Sequence, residues 1–254
     1  MLIVSYFIAS IDFGLMLKML RREILLMVNR RRGLEKLDYA LKDYIQDKIL
    51  YYAFTLSSDV IVFKGGTALF KVYGSPRFSL DLDMTAEGID FLGKVRTHLR
   101  REGFKVHVVK SERRGNIAMF VWNVGAKGLG GTGLKLEIRV SGEFEDHQLI
   151  NYESIYPDIK PFRMRVITIE YAFRRKIFML LERGKARDLF DAYFIARTYN
   201  VRVSLDREMW LKILSRMRRL EKKWANVGLL LINHPLPPFG EVLEVIRKHV
   251  EISG

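Results

Sequence analysis

The spacing of apolar residues changes character once along this chain, at Pro161, and that change constrains the fold more than any other feature. Before it, helical periods are interleaved with short stretches of strand-like alternation; beyond it, after one last strand at Phe162–Thr168, nearly everything repeats with helical period. The N-terminal part reads as a helix from Leu15 striped by Leu17, Leu20, Ile24 and Met27, and a second at Leu34–Leu56 striped by Leu37, Leu41, Ile45, Ile49 and Tyr52. A strand at Val60–Phe63, a brief helix after Gly65-Gly66 to Tyr73, a strand at Ser79–Thr85 and a helix at Asp90–Arg101 come next. Strands at Phe104–Val109, Ile117–Val124 and Leu134–Val140 complete this part. The C-terminal helices are expected at Ile169–Glu182, Ala186–Tyr199, Asp206–Lys223 and Phe239–Glu251. Such an order predicts an α+β fold, with N-terminal helices and a mixed-sheet core over 1–168 and a helical lobe over 169–254. At 254 residues the chain can bury a sizeable core without covalent staples.

The absence of cysteine excludes disulfides, thiolate chemistry, iron–sulfur clusters and zinc sites with cysteine ligands. The five histidines have no metal-ligand spacing. Met1–Leu17 is largely apolar, but Asp12 and Gly14 interrupt it, no basic residue precedes it and no small-residue cleavage site comes after it. The chain therefore reads as soluble and cytoplasmic, with no membrane partner. A signal anchor held by Lys18, Arg21 and Arg22, or a true start at Met16, are the alternatives.

Positive charge is uneven. Residues 171–225 hold 15 Lys and Arg against 6 Asp and Glu. Such a surplus attracts polyanions through counterion release, which makes nucleic acid or a nucleoside triphosphate the natural partner. A generally basic surface from a heat-adapted proteome would look the same, so charge alone does not decide the function.

Two stretches carry chemistry. The Gly128-Leu-Gly130-Gly131-Thr-Gly133 segment matches a dinucleotide-binding fingerprint by letter, but the residues after it, Leu134–Val140, alternate as a strand and not as a helix. Leu134 also stands where a P-loop requires lysine, so the segment reads as a hairpin connection. Phe63-Lys-Gly-Gly-Thr-Ala-Leu-Phe-Lys71, with Arg77-Phe-Ser-Leu-Asp81-Leu-Asp83 just beyond it, is more informative. A Gly-Gly turn opening a helix brings backbone N–H groups close to phosphate oxygens, with the Thr67 hydroxyl beside them. Asp81 and Asp83, two apart on a strand, share a face; paired carboxylates repel unless a cation sits between them, and oxygen donors suit Mg²⁺ or Mn²⁺. Glu137, on the polar side of its own strand, is a candidate third metal ligand if the two strands are neighbours. The competing reading is an ordinary turn and a solvated polar face.

In the C-terminal part, Lys176 projects between Ala172 and Leu180 on an apolar stripe, where a lysine is costly unless it meets an anion. Arg187, Asp188 and Asp191 crowd one side of the next helix. Either Lys176 pairs structurally with Asp188 or Asp191, or it faces a substrate phosphate.

Taken together, Lys64-Gly-Gly-Thr-Ala-Leu-x-Lys71, Arg77-x-Ser-x-Asp81-x-Asp83 and Glu170-x5-Lys176-x8-Lys185-x-Arg187-Asp188-Leu-Phe-Asp191 resemble the motifs of the AbiEii/AbiGii nucleotidyltransferase-like toxins. Lys42-Asp43-Tyr44 and Leu136-Glu137-Ile138 look like further landmarks, and the likeness covers about residues 42–194. The resemblance implies a polymerase-β-like nucleotidyltransferase core, an antitoxin encoded alongside and, in some relatives, transfer of nucleotides from an NTP to tRNA 3′ ends. It implies that Gly65, Gly66, Thr67, Lys71, Arg77 and Ser79 contact the triphosphate and that Asp81 and Asp83 bind metal. It further implies that Lys176, Asp188 and Asp191 are essential, that Lys185 and Arg187 contact triphosphate or RNA, and that Glu137 is a third acid. Two other readings stay open: a metal-dependent nuclease using Asp81 and Glu137 with Arg139 or Lys135, and a catalytically idle RNA- or partner-binding module of the same fold.

Overall fold

The computed structural model describes residues 22–34, 36–127 and 129–253. Met1–Leu17, the first turns of the first expected helix and Gly128 lie outside the described residues. Among the described residues no helix is long and apolar enough to cross a membrane.

Helices α1 (Arg22–Arg30) and α2 (Leu37–Leu56) lead into β1 (Ile61–Lys64), the short α3 (Gly65–Lys71) and β2 (Asp81–Ala86). Then come α4 (Phe91–Arg101), β3 (Lys105–Arg114), β4 (Ile117–Ala126), β5 (Gly130–Val140), β6 (His147–Tyr152) and β7 (Phe162–Ile167). The C-terminal part comprises α5 (Ile169–Glu182), α6 (Ala186–Tyr199), β8 (Val203–Asp206), α7 (Arg207–Arg219), α8 (Ala225–Gly228), α9 (Phe239–Lys248) and β9 (Val250–Ser253). Strands β3-β4-β5-β2-β1-β7-β6, in that order, form one mixed sheet, with β2 parallel to β5 and antiparallel to β1. The architecture is the expected α+β one.

Alternation decides how the central strands sit. Leu82 and Met84 of β2, with Leu134, Leu136 and Ile138 of β5, are fully buried on one face, on the side where α2 packs against β5 and β7. Period two therefore turns Asp81 and Asp83 to the opposite face, towards α5. Burying those five large side chains is worth roughly 1.5–3 kcal/mol each, which holds the register that aims the aspartates.

Several expectations are corrected. Met27 is 54% exposed, whereas Leu25 and Asn29 of α1 are buried. Gly130, Gly131 and Gly133 lie inside β5, where they pair with Ala126, Gly125 and Asn123 of β4 respectively. The helix expected to Lys223 ends at Arg219 and the one expected to Glu251 ends at Lys248. Strands β6, β8 and β9 have no counterpart in the sequence reading: β6 is an edge strand with only Tyr152 buried, and β8 and β9 have four residues each, too few to show a period. One apolar core runs without a break across residue 168, from Leu25 to Val250. The chain also returns to the site late: Leu230 accepts from Phe78 N–H and Ile232 donates to the Pro76 carbonyl, flanking the residue that precedes Phe78.

Candidate active site

Asp81 and Asp83 open on a cleft between the sheet and α5, enclosing about 220 Å³. In register, Asp81 faces Lys135 and Asp83 faces Glu137 on β5, while Lys64 lies opposite Asp83 on β1. Among the described residues neither Asp81 nor Asp83 has an ion-pair partner, whereas Glu137 is bound to Lys135 at 2.8 Å. Burial, reinforced by the Glu137 and Asp81 charges, pushes the Asp83 carboxyl up to about 6.

The Gly-Gly turn is required by this crowding. Gly65 has φ of 80°, and a β-carbon there would collide with the Asp83 carboxylate; one on Gly66 would collide with the Arg77 guanidinium. Both glycines and Ser79 line the cleft. Thr67 does not: it is buried and its hydroxyl donates to the Asp81 carbonyl, so it fixes the strand. Gln46 of α2 donates to the Ser79 carbonyl at 3.0 Å and steadies the same segment from behind. Lys71 is also off the cleft, fully buried at 2.5 Å from both Asp43 and Asp47, so the expected triphosphate contact is replaced by a clamp between α3 and α2.

The opposite wall is basic, and buried acids organise it. Asp191 accepts two bonds from Arg77, 2.7 and 2.8 Å, and lies 2.7 Å from Lys176 Nζ. Asp188 accepts two from Arg183, both 2.8 Å, and one from Lys176 at 3.1 Å. Asp188 and Asp191 are fully buried and do not line the cleft, while Arg77, Lys176, Arg183 and Arg187 do. Burial opposes charge on Asp191, but Arg77 and Lys176 overcome it and hold the carboxyl down at about 2. Asp188 is lowered in the same way by Arg183 and Lys176 against burial. Three cations on two carboxylates leave one positive charge in excess facing the cleft.

Asp188 and Asp191 hold these cations and lie off the cleft lining. Lys176 is paired with the two aspartates, as the first alternative had it, and also lines the cleft. Lys185 is exposed at the start of α6, outside the cleft lining. Arg183 escaped the sequence reading: it meets Asp188 only because the chain reverses at Gly184, φ 53°. Lys64, Glu145 and Tyr171 also line the cleft without having been singled out as contacts.

For a divalent cation the donor chemistry fits at Asp81 and Asp83: two carboxylates on one strand face, without an ion-pair partner among the described residues, one of them destabilised by its acidic neighbours. Among the described residues no set of three or more His, Asp or Glu side chains gathers around one point, so Glu137, turned to Lys135, does not complete such a set in this conformation.

Structures of similar fold have been solved. The nucleotidyltransferase toxin MenT4 (Rv2826c) of Mycobacterium tuberculosis H37Rv matches with TM-score 0.62 and 21% identity, over 91% of this chain and 88% of that one. JHP933 of Helicobacter pylori matches with TM-score 0.54 and 24% identity, over 82% and 89%. A comparison with curated protein sequences returns no match. The cleft sets paired strand carboxylates against a cationic helical wall. Residues 48–244 match the family described as nucleotidyl transferase AbiEii toxin of a type IV toxin–antitoxin system, and the chain belongs to that family.

Proposed function

We propose that this nucleotidyltransferase moves a nucleotide from an NTP to the 3′ end of an RNA, with tRNA as the acceptor class, and that an antitoxin restrains it. The observation that carries the reading is the division of the cleft: on one wall two carboxylates without an ion-pair partner among the described residues, on the other a net-positive clamp. Bound at Asp81 and Asp83, Mg²⁺ or Mn²⁺ would supply charge neutralisation at the α-phosphate and a lowered pKa for the acceptor hydroxyl. Arg77, Lys176, Arg183 and Arg187 bind and orient the β- and γ-phosphates, so that the bond from the α-phosphorus to the leaving oxygen lies in line with the attacking hydroxyl. The new P–O bond forms as pyrophosphate leaves, and the same cations hold the charge it carries away.

A polymeric acceptor is supported by α7, which packs on α5. Arg216, Arg218 and Arg219 of α7 and Lys222 and Lys223 beyond it are exposed, and none is in an ion pair among the described residues. A small triphosphate has no use for such a surface; a backbone of phosphates does. Incubation with each labelled NTP and total tRNA tests the reading. Label in intact tRNA, abolished by EDTA, is expected; shortened RNA or binding without transfer refutes it.

A further inference from the structure

The cleft continues past Asp83, and the charged groups at that end have no part in the clamp. Gly65 and Gly66 run from Lys64 towards the Asp81 end of β2, so Arg77, which abuts Gly66, lies at that end. In the other direction, Thr85 and Arg139 face each other across β2 and β5 one step beyond Asp83 and Glu137, about 6.7 Å along the strand. Glu145, only 7% exposed, gathers this end. Its Oε1 lies 2.7 Å from Lys64 Nζ, 2.8 Å from Thr85 Oγ1 and 3.3 Å from Arg139 Nη2. Lys64 also donates to Thr85 at 2.8 Å, and Arg139 donates to the Glu143 carbonyl at 2.9 Å. Two cations on one carboxylate again leave a positive charge in excess. Both keep side-chain surface in the cleft, 24% for Lys64 and 31% for Arg139.

We propose that Lys64 and Arg139, anchored on Glu145, form a second anion subsite that takes the last phosphodiester of the RNA acceptor. The inference rests on the RNA reading above and deepens it. The reading above already gives the donor's phosphates to Arg77, Lys176, Arg183 and Arg187, which belong to the other cluster of charges. A 3′-hydroxyl presented at the aspartates carries its own phosphate one sugar away, which is the scale of one two-residue step along β2. An acceptor without phosphate would leave this cationic pair with no anion to meet. Glu145 is a positioning residue, since it touches the cations and not the ligand.

The test is steady-state transfer to a short RNA whose last internucleotide linkage is either a phosphodiester or an uncharged methylphosphonate. With the unaltered protein the neutral linkage should raise the acceptor KM about tenfold or more, the weight of one charged hydrogen bond, and leave the NTP KM unchanged. Lys64→Met and Arg139→Met should each raise the acceptor KM similarly, and Lys64→Met should become nearly indifferent to the linkage. Equal use of both linkages by the unaltered protein overturns the subsite, whatever the variants do. A rise in NTP KM in place of acceptor KM also overturns it, because the cations then serve the donor. Failure of the unaltered protein to label any RNA overturns the acceptor reading and the subsite together; normal labelling with indifference to the linkage overturns the subsite alone.

Discussion

Replacing Lys176 by methionine separates its two placements, and the network around it sets the magnitude. An isolated buried lysine would stabilise the fold on removal, but Lys176 is shared between Asp188 and Asp191. After Lys176→Met, Asp191 keeps both bonds from Arg77 and Asp188 keeps both from Arg183, so two cations still balance two carboxylates. The lost charged hydrogen bonds are partly offset by the desolvation cost that lysine no longer carries, leaving a loss of about 1–2 kcal/mol. For a chain of this size that lowers Tm by roughly 2–8 °C. Arg77→Met is the contrast: it strips Asp191 of both guanidinium bonds and leaves a fully buried carboxylate with Lys176 alone. That should cost about 3–5 kcal/mol, or roughly 6–20 °C. Thermal melts run beside NTP titrations in Mg²⁺ make the comparison. Lys176→Met should weaken NTP binding tenfold or more, roughly the effect of one charge-assisted contact, at a small cost in Tm. A Tm loss as large as that of Arg77→Met, or unchanged NTP affinity, refutes the view that Lys176 is a phosphate ligand held by two carboxylates that each keep another cation.

Asp83→Asn should abolish transfer and stabilise the protein in EDTA by about 1–3 kcal/mol at pH 7.5, allowing for solvent at the cleft mouth. Because the folded carboxyl is raised to about 6, its penalty grows as pH rises from about 4 to 6; melts at pH 4.5 and 7.5 that show the same gain would contradict this. Asp191 is depressed to about 2, so its contribution is present above about pH 4 and lost as pH falls towards 2. Asp191→Asn should therefore be strongly destabilised at pH 7 and approach the unaltered protein near pH 2, as read from urea midpoints. Lys71→Met should lower stability by about 3–5 kcal/mol, since Asp43 and Asp47 are both buried against it; a variant that melts normally but loses NTP affinity would restore Lys71 as a ligand. Reversing Arg218, Arg219, Lys222 and Lys223 to Glu should weaken RNA binding and flatten its salt dependence while sparing NTP affinity, and unchanged RNA modification would show that surface to be only solvated.

Much of the site was legible in the sequence because strand geometry is local. Period two puts Asp81 and Asp83 on one face from three consecutive residues, and the buried Leu82 and Met84 fix which face that is. The Gly-Gly turn was legible as a close approach, although what approaches is the Asp83 carboxylate and the Arg77 guanidinium. Helices α5 and α6 have the expected limits, Ile169–Glu182 and Ala186–Tyr199, because their apolar stripes run the full length of each helix. The short strands β8 and β9 were illegible for the opposite reason, having too few residues for a period to emerge.

What only the tertiary structure decided is the task of each charge. Asp81-x-Asp83 and Asp188-x-x-Asp191 are both paired aspartates in the sequence, and nothing local separates a pair without ion-pair partners from a pair that has its cations. The difference lies in partners: Arg77 reaches Asp191 across 114 residues, Arg183 reaches Asp188 around the Gly184 turn, and no such cation reaches Asp81 or Asp83 among the described residues. Lys71 and Thr67 stand in the same motif as Gly65 and Gly66, yet packing against α2 and β2 turns them inward and leaves the glycines at the cleft. Facing is set by the repeat of the backbone, which the sequence spells out. Pairing is set by distance through space, and Coulomb attraction in a buried site recognises only that distance.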